Sequence, residues 1–216
     1  MKPNVIIDYV SMDSLGWLRE SVYFPTPQPQ TNTVVVPGRN SPIRFNEALG
    51  RVSYRPRSFD ITLTMHGSRS LFNQMVSETV NRFTGHLTSV ICSEEPNLYA
   101  LGTLEAKPTF DPLSEKGTLV LSCTDGDAYL YHVNETVVTV TGNGTALLHN
   151  DYMPVVPVIT TTEETTLSWN VGTDSFLKTV SAGTWELPEL ELSAEMNSVT
   201  VLGTGTTTFR YREGRL

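Results

Sequence analysis

The sequence has few cysteines and no long hydrophobic segment. Only Cys92 and Cys123 occur among its 216 residues, and each lies in a run typical of a β-strand. Small secreted domains that depend on disulfides carry more cysteines than this, so we expect two buried thiols, with a single disulfide as the alternative. No stretch approaches the roughly 20 apolar residues of a membrane span. Charges interrupt the first apolar run, unlike a secretory signal, and the sequence predicts a protein made and kept soluble.

The sequence also lacks recognisable catalytic motifs. His66, His86, His132 and His149 are scattered, and there is no HExxH, CxxC, GxSxG, P-loop or GxGxxG pattern. The paired glutamates at 94–95 and 163–164 fall in predicted turns, where a solvated pair is the default interpretation. We therefore predict no enzymatic activity, no metal and no cofactor.

The sequence predicts one helix, and its other segments consist of residues typical of strands and turns. Ser68 or Ser70 can cap its start, and Gly85 follows its end, where a left-handed residue commonly closes a helix. The pattern predicts a helix over residues 69–84. Its apolar positions recur at intervals of three and four and comprise Leu71, Phe72, Met75, Val76, Val80 and Phe83.

We expect the apolar stripe of the helix to pack against the strand before the helix and the two runs after it. Residues 58–65 alternate apolar and polar side chains, as a half-buried strand does, and residues 87–92 and 98–105 are short runs joined by a polar turn. None of these elements can bury its apolar face alone. We predict that Phe72, Met75 and Phe83 pack against Ile61 and Leu63.

A long excursion over residues 25–57 precedes this strand. It begins with PTPQPQTNT, which has no large apolar residue, and continues into three valines. Uncovered β-prone valines would form an aggregation-prone edge, so we predict a hairpin arm whose valines a partner covers. Its arginines are interpreted as a solvated surface, as subunit contacts or as a surface facing a polyanion. The candidate interface residues are Val34, Val35, Val36, Pro37, Arg39, Arg44, Arg51, Arg55 and Arg57.

Charge divides the chain, whose formal net charge is −8. Seven arginines and three carboxylates lie between Gly38 and Arg82, whereas eleven carboxylates and one lysine lie between Asp125 and Phe209. The turn-rich segment TDGDA at 124–128 coincides with this change, and we predict domains at 1–124 and 125–216. Short strands separated by turns roughly every 8–12 residues make the second domain a β-sandwich or jelly roll.

Three aromatic residues in the second domain define an alternative function. Trp169, Trp185 and Tyr152 are candidates for a platform that stacks on a sugar ring. Trp169 alternates with Leu167 and Val171 along one strand, which favours inward packing instead. The alternative hypothesis is a carbohydrate-binding adaptor module that recognises host-surface glycans.

A resemblance to a known family covers nearly the whole chain. The run from GWLRESVYF through VVVPGRNSPIRF to SFDITLTM, the helix, EEPNLYALGTLE and the FRYREG ending together resemble distal tail (Dit) proteins of long-tailed, siphovirus-type bacteriophages. The chain departs from that pattern at Asn40-Ser41-Pro42, where family members commonly have Asp-Gly.

The resemblance implies a mainly β protein with a structural role. It implies an N-terminal β-sandwich or barrel-like domain with one helix and a hairpin arm, followed by a galectin-like β-sandwich. It further implies a hexameric ring at the virion tail tip that contacts the tail tube protein, a tail-tip protein and receptor-binding proteins, with DNA passing through unbound. A galectin-like fold does not by itself imply sugar binding.

Overall fold

A computed structural model describes residues 4–44 and 51–216. The chain forms two compact units, Met1–Leu130 and Tyr131–Leu216, called unit 1 and unit 2 below. Antiparallel strands dominate both units, and the described residues contain one α-helix, in unit 1. The prediction of a mainly β fold with one helix is confirmed. Over these same residues, no helix has the length and apolar character needed to cross a membrane.

Within its described residues, unit 1 contains ten complete strands, a 3-10 helix at Met12–Leu15 and the α-helix. Their bounds are β1 Val5–Ile7, β2 Val10–Ser11, β3 Leu18–Tyr23, β4 Thr33–Val34, β5 Ile43–Arg44, β6 Arg57–His66, α1 Arg69–Phe83, β7 Leu87–Cys92, β8 Leu98–Thr103, β9 Glu105–Asp111 and β10 Lys116–Gly126. A further short strand, β11, covers Leu130–His132.

Two sheets enclose the core of unit 1. One has the strand order β3-β6-β10-β9, and the other includes the neighbours β2-β1-β7-β8. In the first sheet, alternate residues of β6 point inward, so that Phe59, Ile61, Leu63 and Met65 are buried. This is the alternation read from the sequence, and it follows from the two-residue side-chain period of a strand.

The helix closes the core over β9 and β10. Ser68 caps it by accepting a hydrogen bond from Leu71 N at 3.2 Å, and Gly85 beyond its end has a φ of 81°, as predicted. Phe72 and Phe83 are buried and Met75 is half-buried, whereas Leu71 is exposed. The predicted stripe is therefore wrong at Leu71, which lies at the edge of the apolar face.

The ring of Phe72 packs on a position of the sheet that only glycine can occupy. A Cβ at Gly117 on β10 would lie 2.2 Å from the Phe72 ring, closer than any real contact. The ring also lies near Phe110 on β9, with 5.4 Å between centroids, and meets Trp17 edge-on at 6.2 Å. The indole N–H of Trp17 in turn donates to the Thr79 hydroxyl of the helix at 2.9 Å.

Two segments of unit 1 differ from the sequence-based expectation. Residues 106–117, AKPTFDPLSEKG, for which the sequence predicts a second excursion of the chain, form most of the β9–β10 hairpin. The turn expected at 124–128 does not begin at Thr124, because β10 continues to Gly126 through a register shift after Cys123. A Cβ at Gly126 would lie 2.7 Å from the Arg57 carbonyl oxygen. Glycine is therefore needed there because the backbones of β10 and β6 approach closely, and not because the chain turns.

Unit 2 consists of short antiparallel strands in two four-stranded sheets. The sheets have the orders β12-β19-β14-β17 and β13-β18-β15-β16. The eight strands of these sheets are β12 Thr136–Thr141, β13 Gly144–Asn150, β14 Val158–Thr161, β15 Thr165–Val171, β16 Asp174–Val180, β17 Gly183–Glu186, β18 Glu195–Gly203 and β19 Thr206–Tyr211, and β20 Gly214–Arg215 lies outside both sheets.

Both sheets of unit 2 contribute residues to one apolar core. Ile159 and Phe209 come from the first sheet, and Leu148, Leu167 and Val199 from the second. Two sheets that share a core form a sandwich, as the regular spacing of strands and turns predicted.

Both cysteines are free and buried in unit 1, which confirms the prediction of two thiols. Burial is the main reason that the pKa of each thiol is raised, for Cys123 to about 11. A thiol with a raised pKa carries little thiolate at neutral pH and is a poor nucleophile.

Candidate functional site

The candidate site is the arm between β3 and β6 of unit 1, and main-chain hydrogen bonds hold its base together. Gln30 N donates to the Ser53 carbonyl at 2.7 Å, and Arg55 N donates to the Gln28 carbonyl at 2.8 Å. These bonds flank an antiparallel bridge between Pro29 and Tyr54. The two sides of the arm therefore leave the body of unit 1 side by side.

The outer part of the arm is a short hairpin with a defined turn. Thr33 and Val34 of β4 pair with Arg44 and Ile43 of β5. The chain then turns at Pro37, where Arg39 N donates to the Val36 carbonyl at 3.1 Å and Gly38 has a φ of 83°. Proline followed by glycine with positive φ is the signature of a type II turn.

The arm exposes the valines that the sequence predicted a partner would cover. Val34, Val35 and Val36 are 51%, 78% and 38% exposed, and residues 28–42 are exposed throughout. Within the described chain the arm's valines are an uncovered apolar strip next to a two-stranded ribbon. Such a strip is typical of a surface that is buried only on association.

The arm's arginines do not all lie on its surface. Arg39, Arg51 and Arg55 are exposed, and the side chain of Arg44 lies outside the described part of the structure. Across residues 28–44 and 51–56, the described arm carries arginine but no carboxylate. Its surface is therefore positively charged.

The prediction for Arg57 was wrong, because this side chain is only 2% exposed. Its guanidinium donates to the Pro25 carbonyl at 2.7 Å and to the Ala128 carbonyl at 2.7 Å, with a longer bond to Phe24. Burial lowers the pKa of this guanidinium. Arg57 therefore holds the base of the arm in place and is not available for contact with a partner.

A pocket of about 290 Å³ lies at the base of the arm. Pro25, Pro27 and Pro56 line it, together with Gln28, Arg55 and Ser58 among others. Ligand pockets for drug-sized molecules start at about 300 Å³, so this one is sized for one or two side chains.

The three aromatic residues of the sugar-binding hypothesis do not form one platform. Trp169 is buried, stacks on Phe176 at 5.5 Å and donates its indole N–H to the Glu189 carbonyl at 3.1 Å. Its predicted inward packing is confirmed. Trp185 is partly exposed on β17, in the other sheet, and Tyr152 lies in the loop after β13.

Histidines of unit 2 pair with single carboxylates. His132 Nε2 lies 3.1 Å from Asp151, and His149 Nδ1 lies 3.1 Å from Glu213. Within residues 4–44 and 51–216, no cluster of three or more His, Cys, Asp or Glu side chains is arranged to hold a metal ion.

Sequence reasoning missed the exposure of Leu113, at the tip of the β9–β10 hairpin. It is 96% exposed, and it lies in the segment 106–117, for which the sequence predicts an excursion of the chain. The signal that marks it is the Asp111-Pro112 pair, because aspartate followed by proline commonly initiates a turn.

No family model and no curated protein sequence matches the chain. A solved structure does match: SPP1 Dit (gp 19.1), described as a paradigm of the hub adsorption apparatus in Gram-positive infecting phages. The match covers 100% of both chains with a TM-score of 0.69 and 14% sequence identity. The chain has the fold of SPP1 Dit. The Dit-like fold that the sequence resemblance implied is thereby confirmed over the full length.

Proposed function

We propose that the chain is a structural component of a bacteriophage tail tip. In this role, six copies form a ring that joins the tail tube to the tail-tip and host-recognition apparatus. The full-length likeness to SPP1 Dit, a protein of a phage hub adsorption apparatus, carries this proposal. Its partners are further copies of itself, the tail tube protein, a tail-tip protein and receptor-binding proteins, and DNA passes through the ring without specific binding.

The arm is the contact between neighbouring subunits in this proposal. A ring requires a heterologous interface, in which one patch meets a different patch on the next copy. An arm that leaves the body of unit 1 with exposed valines suits this requirement, because a neighbour can bury the valines and pair with the ribbon. Its exposed arginines then form rim contacts that salt weakens.

The galectin-like assignment of unit 2 belongs to the same proposal. The sandwich of two four-stranded sheets supports it. We propose that this unit lies outside the ring and presents a surface to receptor-binding proteins. The buried Trp169 argues against the glycan-binding alternative.

The test is the native mass of the full chain and of an arm variant. We expect the wild-type chain to reach six times its 23.9 kDa subunit mass as concentration rises in light-scattering measurements. Replacing Val34, Val35 and Val36 by serine keeps the base of the arm and Arg57 intact. Because only the exposed apolar strip is lost, this variant should stay folded and monomeric.

The matched control replaces exposed valines of unit 2, Val137 and Val171, by serine. This variant should assemble like the wild type, because neither valine lies on the arm. A wild-type chain that stays monomeric at every concentration would contradict the ring. A triple-serine arm variant that assembles like the wild type would contradict the arm's role within it.

A further inference from the structure

The sheet β3-β6-β10-β9 of unit 1 has apolar features at both ends. The arm end carries the proline-lined pocket, whose residues include Arg57 and Ser58 at the start of β6. The other end, which we call the leucine end, carries the exposed side chains of Leu18, Leu71 and Leu113.

Strand register places these features far apart. Lys116, at the tip of the β9–β10 hairpin, pairs with His66 at the end of β6, and Leu18 pairs with Thr64. The pocket lies at the other end of β6, nine residues away. At about 3.3 Å per residue the two ends are separated by roughly 30 Å, so a single chain cannot join its own leucine end to its own pocket.

Leu113 is presented by a rigid turn. The Asp111 carboxylate accepts hydrogen bonds from Leu113 N at 2.9 Å and from the Ser114 hydroxyl at 2.6 Å. These bonds lower the pKa of Asp111, and Pro112 fixes the backbone between them. Because these bonds already order the backbone of the turn, burying Leu113 costs the rotamer freedom of one side chain and little backbone entropy.

We propose that Leu113 of one subunit inserts into the proline-lined pocket of the next copy of this chain. A pocket of about 290 Å³ accommodates a leucine and its neighbouring proline, and its three prolines provide an apolar wall. The contact rests on the proposed ring and identifies the surface that meets the arm end. Because the projecting side chain and the pocket lie on opposite ends, the contact is heterologous and repeats from copy to copy.

Charge supports a second copy as the occupant. The turn at 111–115 carries Asp111 and Glu115, and Lys116 beside it is paired with Glu20 at 3.1 Å. The hairpin tip therefore has an excess of negative charge, whereas the exposed Arg55 borders the pocket. Opposite charges around an apolar contact speed association and fix its register, in a salt-dependent way. The pocket also adjoins the base of the arm at Gln28 and Arg55, so both contacts belong to one continuous surface.

Two variants of the full chain test the contact from its two sides. Leu113→Asp removes the projecting apolar side chain, and Ser58→Trp fills the pocket from its exposed rim. Burying a leucine contributes about 1.5–3 kcal/mol, so each variant alone should weaken self-association about 10- to 100-fold. Leu87→Asp, which changes an exposed leucine of the other sheet, is the control and should assemble like the wild type.

Mixing the two variants gives the decisive measurement. A Leu113→Asp chain keeps its pocket and a Ser58→Trp chain keeps its leucine, so one intact contact forms only between unlike chains. Light scattering of the equimolar mixture should show one-to-one heterodimers at concentrations where each variant alone is monomeric.

Other outcomes separate this proposal from the ring itself. If the wild type assembles and Leu113→Asp assembles equally well, the pocket contact is wrong while the ring stands. A mixture that stays monomeric also overturns the pocket contact. If the wild type never assembles, both proposals fail. Circular dichroism of each variant establishes that it is folded.

Discussion

At the scale of single residues, the arginines of unit 1 show that charge alone does not identify a surface. Arg57 lies in the positively charged stretch that the sequence assigned to an interface, yet its guanidinium is buried among main-chain carbonyls. Nothing in the local sequence separates it from Arg55, two residues earlier and exposed. The difference comes from carbonyls at Pro25 and Ala128, which only the folded chain brings together.

Arg19 is a second arginine whose side chain is mostly covered, and it is paired with a carboxylate. Its side chain is 9% exposed, whereas that of Glu94 is 55% exposed. Both terminal nitrogens contact the Glu94 carboxylate, one of them at 2.5 Å, and Cys92 Sγ lies 2.8 Å from the same nitrogen. The guanidinium is the main reason that the pKa of Glu94 lies well below its ordinary value.

We predict that Glu94→Gln destabilises unit 1 by about 1–2 kcal/mol at pH 7. The value lies between the roughly 0–1 kcal/mol of an exposed ion pair and the 3–5 kcal/mol lost when a buried pair is broken. The folded-state pKa of Glu94 is below its unfolded value. Its contribution is therefore present above the unfolded pKa, near 4.3, and declines as pH falls below it. Urea unfolding at pH 7 and pH 3 should show the difference from wild type shrinking at pH 3.

The matched control is Glu20→Gln in the same unit. Glu20 pairs with Lys116 at 3.1 Å, but both side chains are well exposed, so its loss should leave the unfolding midpoint nearly unchanged. Equal effects of the two substitutions would mean that covering the Arg19 side chain adds nothing to the stability that its ion pair contributes.

At the scale of elements, periodicity identified most of the fold and failed where pairing overrides local signals. The alternation of β6 and the strand spacing of unit 2 are visible in the sequence because each strand buries one face. β9 is not visible in this way, because Pro108 lies within it. It is an edge strand of its sheet, where a missing N–H can face outward without breaking the ladder. Pro108 by itself fits either an edge strand or a segment that is not a strand, and the local sequence does not decide between them.

The same applies to the end of β10 and to Leu71. Gly126 lies in a turn-rich segment of the sequence but belongs to strand β10. Glycine is needed at this position because the Arg57 carbonyl oxygen leaves no room for a Cβ. Leu71 has helical spacing, yet it lies at the edge of the apolar face of the helix and is 46% exposed. Both outcomes depend on neighbours that are distant in sequence.

We predict that Phe72→Ala and Phe83→Ala each destabilise unit 1 by about 3–5 kcal/mol, the usual range for a buried phenylalanine. Phe72 in particular lies over Gly117 and beside Trp17 and Phe110, so its removal leaves a cavity that these rings cannot readily fill. Leu71→Ala on the same helix should change the unfolding free energy by less than about 1 kcal/mol. Denaturant unfolding of the three variants measures the comparison, and a Phe72 value as small as that of Leu71 would contradict the helix packing.

At the scale of the whole molecule, the sequence resemblance and the structure agree on the fold, while the candidate site was only partly visible. The arm could be predicted because a proline-rich segment followed by valines cannot bury those valines within itself. The pocket could not, because it depends on segments that the fold brings together, and the exposure of Leu113 is marked in the sequence only by the Asp111-Pro112 turn pair. The division of the chain likewise falls after Leu130 rather than at the turn-like residues near 124, since β10 runs through them.

We predict that trypsin cleaves the free chain first in the arm, after Arg39. Residues 28–42 are exposed, and the described part of the ribbon has two residue pairs, whereas Arg57 and Lys116 lie within the long strands β6 and β10. Because β3 on one side of the cut pairs with β6 on the other, the nicked chain should stay compact under native conditions. Mass spectrometry should find products 1–39 and 40–216 after denaturation.

Assembly should then protect this site. If neighbouring subunits cover the arm, cleavage after Arg39 slows as concentration rises into the range where the native mass increases. The Val34, Val35 and Val36 to serine variant provides the comparison, because it presents the same Arg39 but lacks the apolar strip, and it should be cleaved at the free-chain rate at every concentration. Cleavage of the assembled wild type as fast as that of this variant would place the subunit contact elsewhere, since an arm buried between copies cannot enter the protease active site.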